Sequence, residues 1–334
     1  MIQIMLLYSL YAVVFIFGKQ ALAFSQPIFL TGARMITAGI CSYFLSRMWF
    51  GSLKWSSIRL KDWGYIFLLA VFNVYLTNAN EAWSLQYLSA GKVAFMYNLS
   101  PFFSLFFSHL MFKETITWKK ILGMVISCCA ITPLLINDTS ADVVDTTFKL
   151  GAFSVAEIVM VIAAAATAYG WVIMKYLMDK PASHSSSVTF EKKIKGQPSK
   201  MTTGFNSYFL NGISLTLGGI FCFTQAYFFE TRPFVDPDYY TNFVWSMLIM
   251  MFLQNIIAYN FNAYLLTVYS ATLVILFSFV MPIIAALLGF LFLNEQLTVQ
   301  FFLCSAGVAL GLFVFYQEEL YEDDAQEDEK AEHK

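Results

Sequence analysis

Charged residues are scarce in this chain. Asp, Glu, Lys and Arg make up only 13% of its 334 residues, whereas a soluble domain carries about 25%. Hydrophobic residues account for 58%, and they include 35 Phe, 18 Tyr and 7 Trp. Such a chain would expose too much apolar surface in water. A soluble globule is therefore excluded, and an integral membrane protein is predicted.

Several catalytic signatures are also missing. The sequence has no Gly-x-x-x-x-Gly-Lys phosphate loop and no Gly-x-Ser-x-Gly nucleophile elbow, so neither a nucleotide-driven pump nor a serine hydrolase is indicated. Its histidines (His109, His184, His333) are widely separated, and its five cysteines show no Cys-x-x-Cys spacing, so clustered metal ligands are not indicated. We expect no catalytic residue, metal, cofactor or nucleic-acid partner. The expected partners are a small-molecule substrate and the lipid bilayer.

The chain does contain a series of apolar runs of about twenty residues, long enough to cross a hydrocarbon core about 30 Å thick. The runs are continuous and lack the alternating pattern of a membrane-barrel strand, so each is predicted to be a helix. The predicted fold class is an all-α integral membrane protein with ten transmembrane helices. The runs cover residues 1–23, 27–50, 63–84, 90–112, 118–136, 151–178, 205–229, 243–266, 270–293 and 299–316.

Part of the sequence recurs 181 residues further along the chain. Each half holds five apolar runs, and an odd number of crossings inserts the second half upside down. Inverted repeats of this kind are typical of secondary transporters. The first-half residues Ser89, Ala90, Pro101, Leu110, Glu114 and Thr117 correspond to Ser270, Ala271, Pro282, Leu291, Glu295 and Thr298.

The repeat divides the chain into two five-helix units, residues 1–136 and 151–316, joined by an outer loop at 137–150. The second unit contains a Ser- and Lys-rich insertion at 179–204, whose composition predicts a solvated loop. The acidic tail, 317–334, is predicted to be disordered.

The positive charges predict the orientation in the membrane. Of the 18 Lys and Arg residues outside the tail, thirteen flank even-numbered loops and four flank odd-numbered loops. Because positive charge concentrates on the cytoplasmic side, both termini are predicted to be cytoplasmic.

A few charged side chains lie within the apolar runs, where each costs about 2.5–3.5 kcal/mol on insertion scales. Arg34 and Glu81 stand out, and the sequence leaves open whether they line a substrate cavity or have a structural role. Glu157 lies near the start of the sixth run, where it either contacts substrate or complements the helix dipole.

Amide side chains concentrate in the third and eighth runs, which are repeat mates. Amides in a membrane either line a pathway or hydrogen-bond neighbouring helices together, and both interpretations stay open. The weaker candidates for substrate binding, beside Arg34 and Glu81, are Tyr97, Asn98, Glu157, Asn255, Tyr259 and Asn262.

Two pairs of repeat-related residues are predicted to be structural. Pro101 and Pro282 weaken backbone hydrogen bonding near the middle of the fourth and ninth runs, as hinges for alternating access or as static kinks. Glu114 and Glu295 are predicted to fix short interhelical turns at opposite membrane faces, because one asymmetric substrate rarely needs two symmetry-related contacts.

The chain resembles the drug/metabolite transporter superfamily, in particular its EamA-like branch, up to about residue 316. The Glu-x-x-Thr motif at a helix end, present twice, carries the resemblance, whereas the 179–204 insertion and the acidic tail depart from the family pattern. The resemblance implies a transporter of the bacterial cytoplasmic membrane with a central cavity lined chiefly by helices three, four, eight and nine. Further matching residues are Phe17, Gly18, Lys19, Pro27, Arg34, Leu85, Gly123 and Gly311.

Within that family the chain is also similar to the S-adenosylmethionine carriers of obligate intracellular bacteria. This resemblance implies S-adenosylmethionine as the substrate, exchanged for S-adenosylhomocysteine. The residue chemistry permits it: aromatic faces suit a sulfonium, Arg34 suits a carboxylate, and Glu81 or Glu157 suits an ammonium. An amino-acid or drug exporter of the same fold, and more distantly a membrane-embedded enzyme, are the alternatives.

Overall fold

The chain forms a bundle of helices, which a computed structural model describes in part. The described residues are 2–50, 58–84, 86–87, 93, 96–136, 149–150, 153–179, 205–231, 233–281, 283–284, 287 and 299–332. The uninterrupted helices are α1 (Ile2–Ala21), α2 (Pro27–Phe50), α4 (Ser100–Phe112), α5 (Trp118–Ile136), α6 (Val155–Asp179), α7 (Ser207–Phe229) and α10 (Val299–Glu332).

Three further helices are composite. Helix α3 consists of an α-helical segment at Leu60–Leu69, a π-helical segment at Ala70–Leu76 and a second α-helical segment at Thr77–Ser84. Helix α8 follows a 3₁₀ turn and has the same order: α-helical at Tyr240–Met250, π-helical at Met251–Ala258 and α-helical at Tyr259–Leu266. Helix α9 begins as Ala271–Leu276 and tightens to a 3₁₀ segment at Phe277–Val280.

The predicted all-helical membrane class is confirmed in its coarse form. Among the described residues, four helical segments are long and apolar enough to cross a membrane: Pro27–Trp49, Val155–Asp179, Ser207–Phe229 and Pro237–Leu266. Large apolar side chains such as Trp49, Phe228 and Phe229 are exposed on the surface of the bundle. Lipid is the environment in which such exposure costs little.

Two local features differ from the sequence prediction. A two-residue antiparallel strand pair, Lys149–Leu150 with Phe153–Ser154, precedes α6. The acidic tail was predicted to be disordered, but in the structure α10 continues through it to Glu332. That difference has a physical reason, because the Glu, Gln, Ala and Lys of the tail are all strong helix formers. The 137–150 and 179–204 segments lie mostly outside the described residues.

Helices α2 and α7 approach each other closely through glycines. A Cβ atom added at Gly32 would lie 2.9 Å from the backbone nitrogen of Phe223, and one added at Gly219 would lie 2.8 Å from the nitrogen of Ile36. We call this contact the α2/α7 seam. Small residues allow the backbones of membrane helices to come together in this way.

Helices α5 and α10 meet in a second contact of the same kind, the α5/α10 seam. A Cβ atom added at Gly123 would lie 2.7 Å from the carbonyl oxygen of Gly311. At the edge of this seam, Lys119 forms an ion pair with Glu318, with a nitrogen–oxygen distance of 2.9 Å.

The remaining helices surround the polar interior. Helix α6 packs against α3 and α4, while α1 packs against α8. The connection from α7 to α8 is hydrogen-bonded to the connection from α1 to α2. The backbone nitrogen of Gln26 donates to the carbonyl oxygen of Phe234 at 2.8 Å, and the backbone nitrogen of Asp236 donates to the carbonyl oxygen of Phe24 at 3.0 Å.

Candidate functional site

Arg34 lies in the interior of the bundle, on α2. Its side chain is buried, and Nη1 donates a 2.6 Å hydrogen bond to Oε1 of Gln254, in the π-helical segment of α8. The Nε atom of Arg34 is also buried and has no hydrogen-bond partner within the described part of the chain. A guanidinium keeps its charge and presents five donors, so Arg34 retains capacity to bind an anionic group.

Glu81 lies on the last segment of α3 and is partly buried. Its charge and that of Arg34 attract each other across the interior. The described residues show no direct ion pair between the two side chains, and Arg34 is hydrogen-bonded to Gln254. The site therefore presents one positive and one negative group that are separated, which suits a ligand carrying both charges.

Tyr97 joins three parts of the bundle near Glu81. Its hydroxyl lies 2.7 Å from Oγ1 of Thr167 on α6, and Thr167 in turn donates to Oγ1 of Thr77 on α3 at 2.9 Å. The neighbouring Asn98 is 2% exposed, and its Nδ2 has no hydrogen-bond partner among the described residues. A buried amide donor without a partner costs about 1–3 kcal/mol, so a bound ligand is a natural partner for it.

Helix α8 contributes two buried amides to the same interior. Nδ2 of Asn255 lies 3.3 Å from Sδ of Met35, and Nδ2 of Asn262 donates to the hydroxyl of Tyr11 at 3.3 Å. In the described part of the chain, the Oδ1 atoms of both amides are buried without a donor. These amides and the Nε of Arg34 leave hydrogen-bonding capacity for a polar ligand.

Tyr259 lies between these amides on α8 and is surrounded by rings. Its centroid lies 5.4 Å from that of Trp171 on α6 and 6.4 Å from that of Tyr11 on α1, in edge-to-face arrangements. Tyr8 continues the cluster at 5.8 Å from Tyr11. Aromatic faces attract cations and stack with flat rings.

A known transporter family matches most of the chain, including most of the helices that form this polar, aromatic interior. The model of the EamA-like transporter family matches residues 1–136 and 197–317 of the chain. The chain belongs to this family. It is therefore a multi-pass protein of a bacterial membrane, and a transporter rather than an enzyme, as the sequence predicted.

Individual relatives of this EamA-like protein cover most of its length. It is 28% identical over 307 residues to the "S-adenosylmethionine/S-adenosylhomocysteine transporter" of Chlamydia muridarum, covering 91% of this chain and 87% of that protein. A protein of the same name from Chlamydia trachomatis serovar L2 is 28% identical over 309 residues, covering 91% and 85%. The "Uncharacterized transporter YvbV" of Bacillus subtilis is 22% identical over 286 residues, covering 85% and 80%.

The fold is also found in a solved structure. A crystal structure that is 15% identical in sequence superposes with a TM-score of 0.64, covering 94% of this chain and 93% of the other. At that identity the match shows a shared fold.

Among the remaining candidates of the EamA-like protein, Glu157 lies in the first turn of α6, where the helix dipole favours a carboxylate. Ala156, just before it, accepts a hydrogen bond from Ser84 at the end of α3. This end of α6 is therefore joined directly to the segment that carries Glu81. Glu157 itself is placed only in the first turn of α6, and its role in binding stays a prediction.

The residues predicted to be structural are only partly described. Oε2 of Glu114 accepts a 3.3 Å hydrogen bond from Thr272, which ties the α4–α5 turn to the start of α9. Pro101 lies in the first turn of α4, because that helix begins at Ser100, and not near the middle of an unbroken helix as the sequence suggested. Pro282 and Glu295 lie outside the described residues.

Sequence reasoning missed several residues of the site. No local pattern in the sequence distinguishes Tyr8, Tyr11 and Trp171, because aromatic residues occur throughout the chain. Thr167 could not be predicted either, because a single threonine within an apolar run is usually a packing residue and gives no sign of a binding role. A signal was available for Thr167 and Trp171: they are four residues apart, which places them on one face of a helix.

Proposed function

We propose that the chain is a secondary carrier that exchanges S-adenosylmethionine for S-adenosylhomocysteine across the bacterial cytoplasmic membrane. The observation that carries this proposal is the similarity over 91% of the chain to relatives with that name. Because the similarity spans both halves, the comparison concerns the whole carrier and not one shared segment.

The chemistry of the site supports this substrate. S-adenosylmethionine carries a carboxylate, an ammonium and a sulfonium. Arg34 is suited to the carboxylate, and Glu81 to the ammonium. The rings around Tyr259 offer faces to a sulfonium, a contact that contributes about 2 kcal/mol or more when desolvated. S-adenosylhomocysteine lacks only the methyl group on sulfur, and with it the sulfonium charge, so one site serves both partners of an exchange.

Alternating access between two inverted five-helix repeats is part of the proposal. The two π-helical segments support it, because the one starting at Ala70 recurs 181 residues later at Met251. The packing supports it as well, because α6 against α3 is the repeat equivalent of α1 against α8. Inverted repeats place the substrate near the middle of the membrane, between halves that rock against each other.

The proposed orientation has both termini in the cytoplasm. It is supported by the thirteen positive residues that flank even-numbered loops against four that flank odd-numbered loops. In this orientation Arg34 and Glu81 lie in the outer half of the membrane, and Asn262 lies in the inner half.

An amino-acid exporter is the second candidate, and one specific observation favours it. The separated charges of Arg34 and Glu81 would complement the backbone carboxylate and ammonium of any free amino acid. That function leaves the buried amide oxygen of Asn262 and the ring cluster around Tyr259 without a partner when a small amino acid is bound. The nucleoside-bearing substrate fits more of the site.

The direct test is uptake of radiolabelled S-adenosylmethionine into bacterial cells that express the chain. We expect uptake above that of empty-vector cells, and competition by unlabelled S-adenosylhomocysteine. In liposomes containing the purified protein, S-adenosylhomocysteine loaded inside should accelerate entry of the label. Uptake at the empty-vector level, with comparable protein in the membrane, would refute the proposal, and accumulation or efflux of amino acids would favour the second candidate.

A further inference from the structure

The candidate site is charged at one end and uncharged at the other. Glu81 and Asn262 are repeat equivalents, 181 residues apart, and only the first carries a charge. Arg34 is likewise without a charged equivalent. In the α2/α7 seam a Cβ atom added at Gly212 would lie 2.8 Å from the nitrogen of Tyr43, just as one at Gly32 would lie 2.9 Å from that of Phe223; this equivalence sets an offset of 180, which pairs Arg34 with Ser214. The inverted repeat therefore encloses an asymmetric site.

The uncharged end is aromatic. Tyr11, Trp171 and Tyr259 come from three different helices, and their rings meet with Tyr259 at the centre. All three are partly or fully buried in the interior. A flat heterocycle inserted beside these rings would bury its faces against them, and a base stacked on an aromatic side chain gains about 1–3 kcal/mol.

Asn262 adds a hydrogen-bond acceptor to this end. Its side chain is 2% exposed, and its Nδ2 is committed to the hydroxyl of Tyr11. That bond orients the amide and leaves Oδ1, which is buried and has no donor in the described part of the chain. The acceptor is matched by an exocyclic amino group on a heterocycle, such as the N6 amine of adenine.

The distance between the charged end and the aromatic end of the site matches the length of a nucleoside joined to an amino acid. Gln254, which holds Arg34, and Asn262 are eight residues apart on α8; the same number of residues in a regular α-helix spans roughly 12 Å, and the π-helical part up to Ala258 makes the distance somewhat shorter. An extended nucleoside joined to an amino acid spans a distance of this order. Its charged amino-acid end and its flat, amine-bearing end differ in the same way as the two ends of the site.

From these observations we propose that Tyr11, Trp171, Tyr259 and Asn262 form an adenine subsite, with Oδ1 of Asn262 accepting a hydrogen bond from the N6 amine. The amino-acid end of the same ligand lies at Arg34 and Glu81. This inference rests on the proposed function, and it adds Tyr11 and Trp171 as specificity-determining residues. It also requires that the site prefers adenosyl to inosyl compounds, because inosine carries an oxygen in place of the amine.

The first experiment measures base preference in transport. S-adenosylhomocysteine and its deaminated analogue, S-inosylhomocysteine, compete against labelled S-adenosylmethionine. We expect the wild type to prefer the adenosyl compound by at least about tenfold, because an oxygen facing Oδ1 of Asn262 leaves both acceptors unpaired. In Asn262→Ala the preference should fall to near one. An unchanged preference in this variant overturns the subsite assignment.

A second variant guards against loss of folding. Tyr11→Phe keeps the ring but removes the hydroxyl that orients Asn262, so the adenosyl preference should drop while the protein still reaches the membrane. If Asn262→Ala does not accumulate, an unchanged preference in Tyr11→Phe overturns the assignment on its own. Thr224→Ala is the matched control, because Thr224 is exposed and, among the described residues, its hydroxyl bonds to Ile220 within α7. The base preference of this variant should equal that of the wild type.

A binding measurement separates this inference from the proposed function. The thermal stability of the purified wild type in detergent is compared with adenosine and with inosine at equal concentrations. Stabilisation by adenosine alone supports the subsite even if cells show no uptake of S-adenosylmethionine, which would refute only the transported substrate. Equal stabilisation by both nucleosides, or by neither, overturns the subsite even if uptake is normal.

Discussion

Arg34 Nη1 and Gln254 Oε1 are joined by a 2.6 Å hydrogen bond that connects α2 to the π-helical segment of α8. A π-helical segment leaves the regular i to i−4 bonding pattern and is frequently found at functional sites. Here it places Gln254 against a buried charge, and Asn255, the next residue, against Met35 on α2. The irregular backbone and the site charge are thus parts of one arrangement.

Arg34→Lys is expected to lower S-adenosylmethionine uptake by at least about tenfold. Lysine is a single point charge and cannot hold Gln254 while offering a two-pronged contact to a carboxylate. The measurement is the initial rate of uptake at matched membrane expression. Arg47→Lys, an exposed position at the other end of α2, is the control and should transport like the wild type. If Arg34→Lys takes up S-adenosylmethionine as fast as Arg47→Lys, Arg34 does not contact the substrate.

Glu81→Gln is expected to weaken binding of S-adenosylmethionine by about 2–5 kcal/mol, the usual cost of losing one partner of a desolvated charge pair. The substitution keeps the size of the side chain and removes only its charge. Competition curves on uptake give the apparent affinity. Glu157→Gln is the comparison, and it should reduce the apparent affinity less than Glu81→Gln does. If Glu157→Gln has the larger effect, Glu157 and not Glu81 is the carboxylate that binds the ammonium.

Glu114 and Thr272 are expected to contribute to stability and not to substrate affinity. The thermal stability in detergent is measured for Glu114→Gln, Thr272→Val and the double variant. Because the two side chains share a 3.3 Å hydrogen bond, the effects should be less than additive, with a coupling of about 0.5–1.5 kcal/mol. A stable Glu114→Gln protein with weakened S-adenosylmethionine binding would make Glu114 a binding residue instead.

Glu230 is expected to make stability depend on pH. Its carboxylate accepts hydrogen bonds from the backbone nitrogens of Ile28 at 2.6 Å and Phe29 at 2.8 Å. Burial raises the pKa of Glu230 above its usual value, and these two bonds offset the increase only in part. A carboxyl group with a raised folded-state pKa stabilises the fold at low pH and loses that contribution as pH rises through the raised pKa.

The measurement for Glu230 is the difference in melting temperature between the wild type and Glu230→Gln at pH 7 and at pH 5. Other titrating groups are common to both proteins and cancel in this difference. The wild type should gain relative to the variant on acidification. A relative loss would mean that the two backbone bonds to the ionised carboxylate outweigh its burial.

The orientation predicts which loops an impermeant thiol reagent reaches in intact cells. Cysteines placed at Ser140 and Asp238, in a background without the five native cysteines, should be labelled from outside. A cysteine at Phe190 should be labelled only after the membrane is permeabilised. The opposite pattern would invert the topology, and with it the side from which Arg34 and Glu81 are reached.

The sequence predicted the all-helical membrane class and the polar character of α3 and α8, because these follow from hydropathy and composition. It did not predict that Arg34 would bond to Gln254, since partners from helices 220 residues apart leave no local pattern. The π-helical segments and the ring cluster of Tyr11, Trp171 and Tyr259 were missed for the same reason: both depend on packing between helices. The sequence pattern alone does not decide the structure of the tail, because its dense negative charge favours disorder whereas its Glu, Gln, Ala and Lys residues favour a helix.

The α2/α7 and α5/α10 seams also bear on how well the membrane stays sealed. A carrier that turns over must not let small ions slip past its walls, because every such ion dissipates the gradients that the cell maintains. At Gly32 and Gly123 there is no room between the backbones for even one methyl group, so neither water nor an acyl chain fits there. Each seam is therefore closed to ions at these points, which leaves the polar interior around Arg34 as the route for a charged substrate.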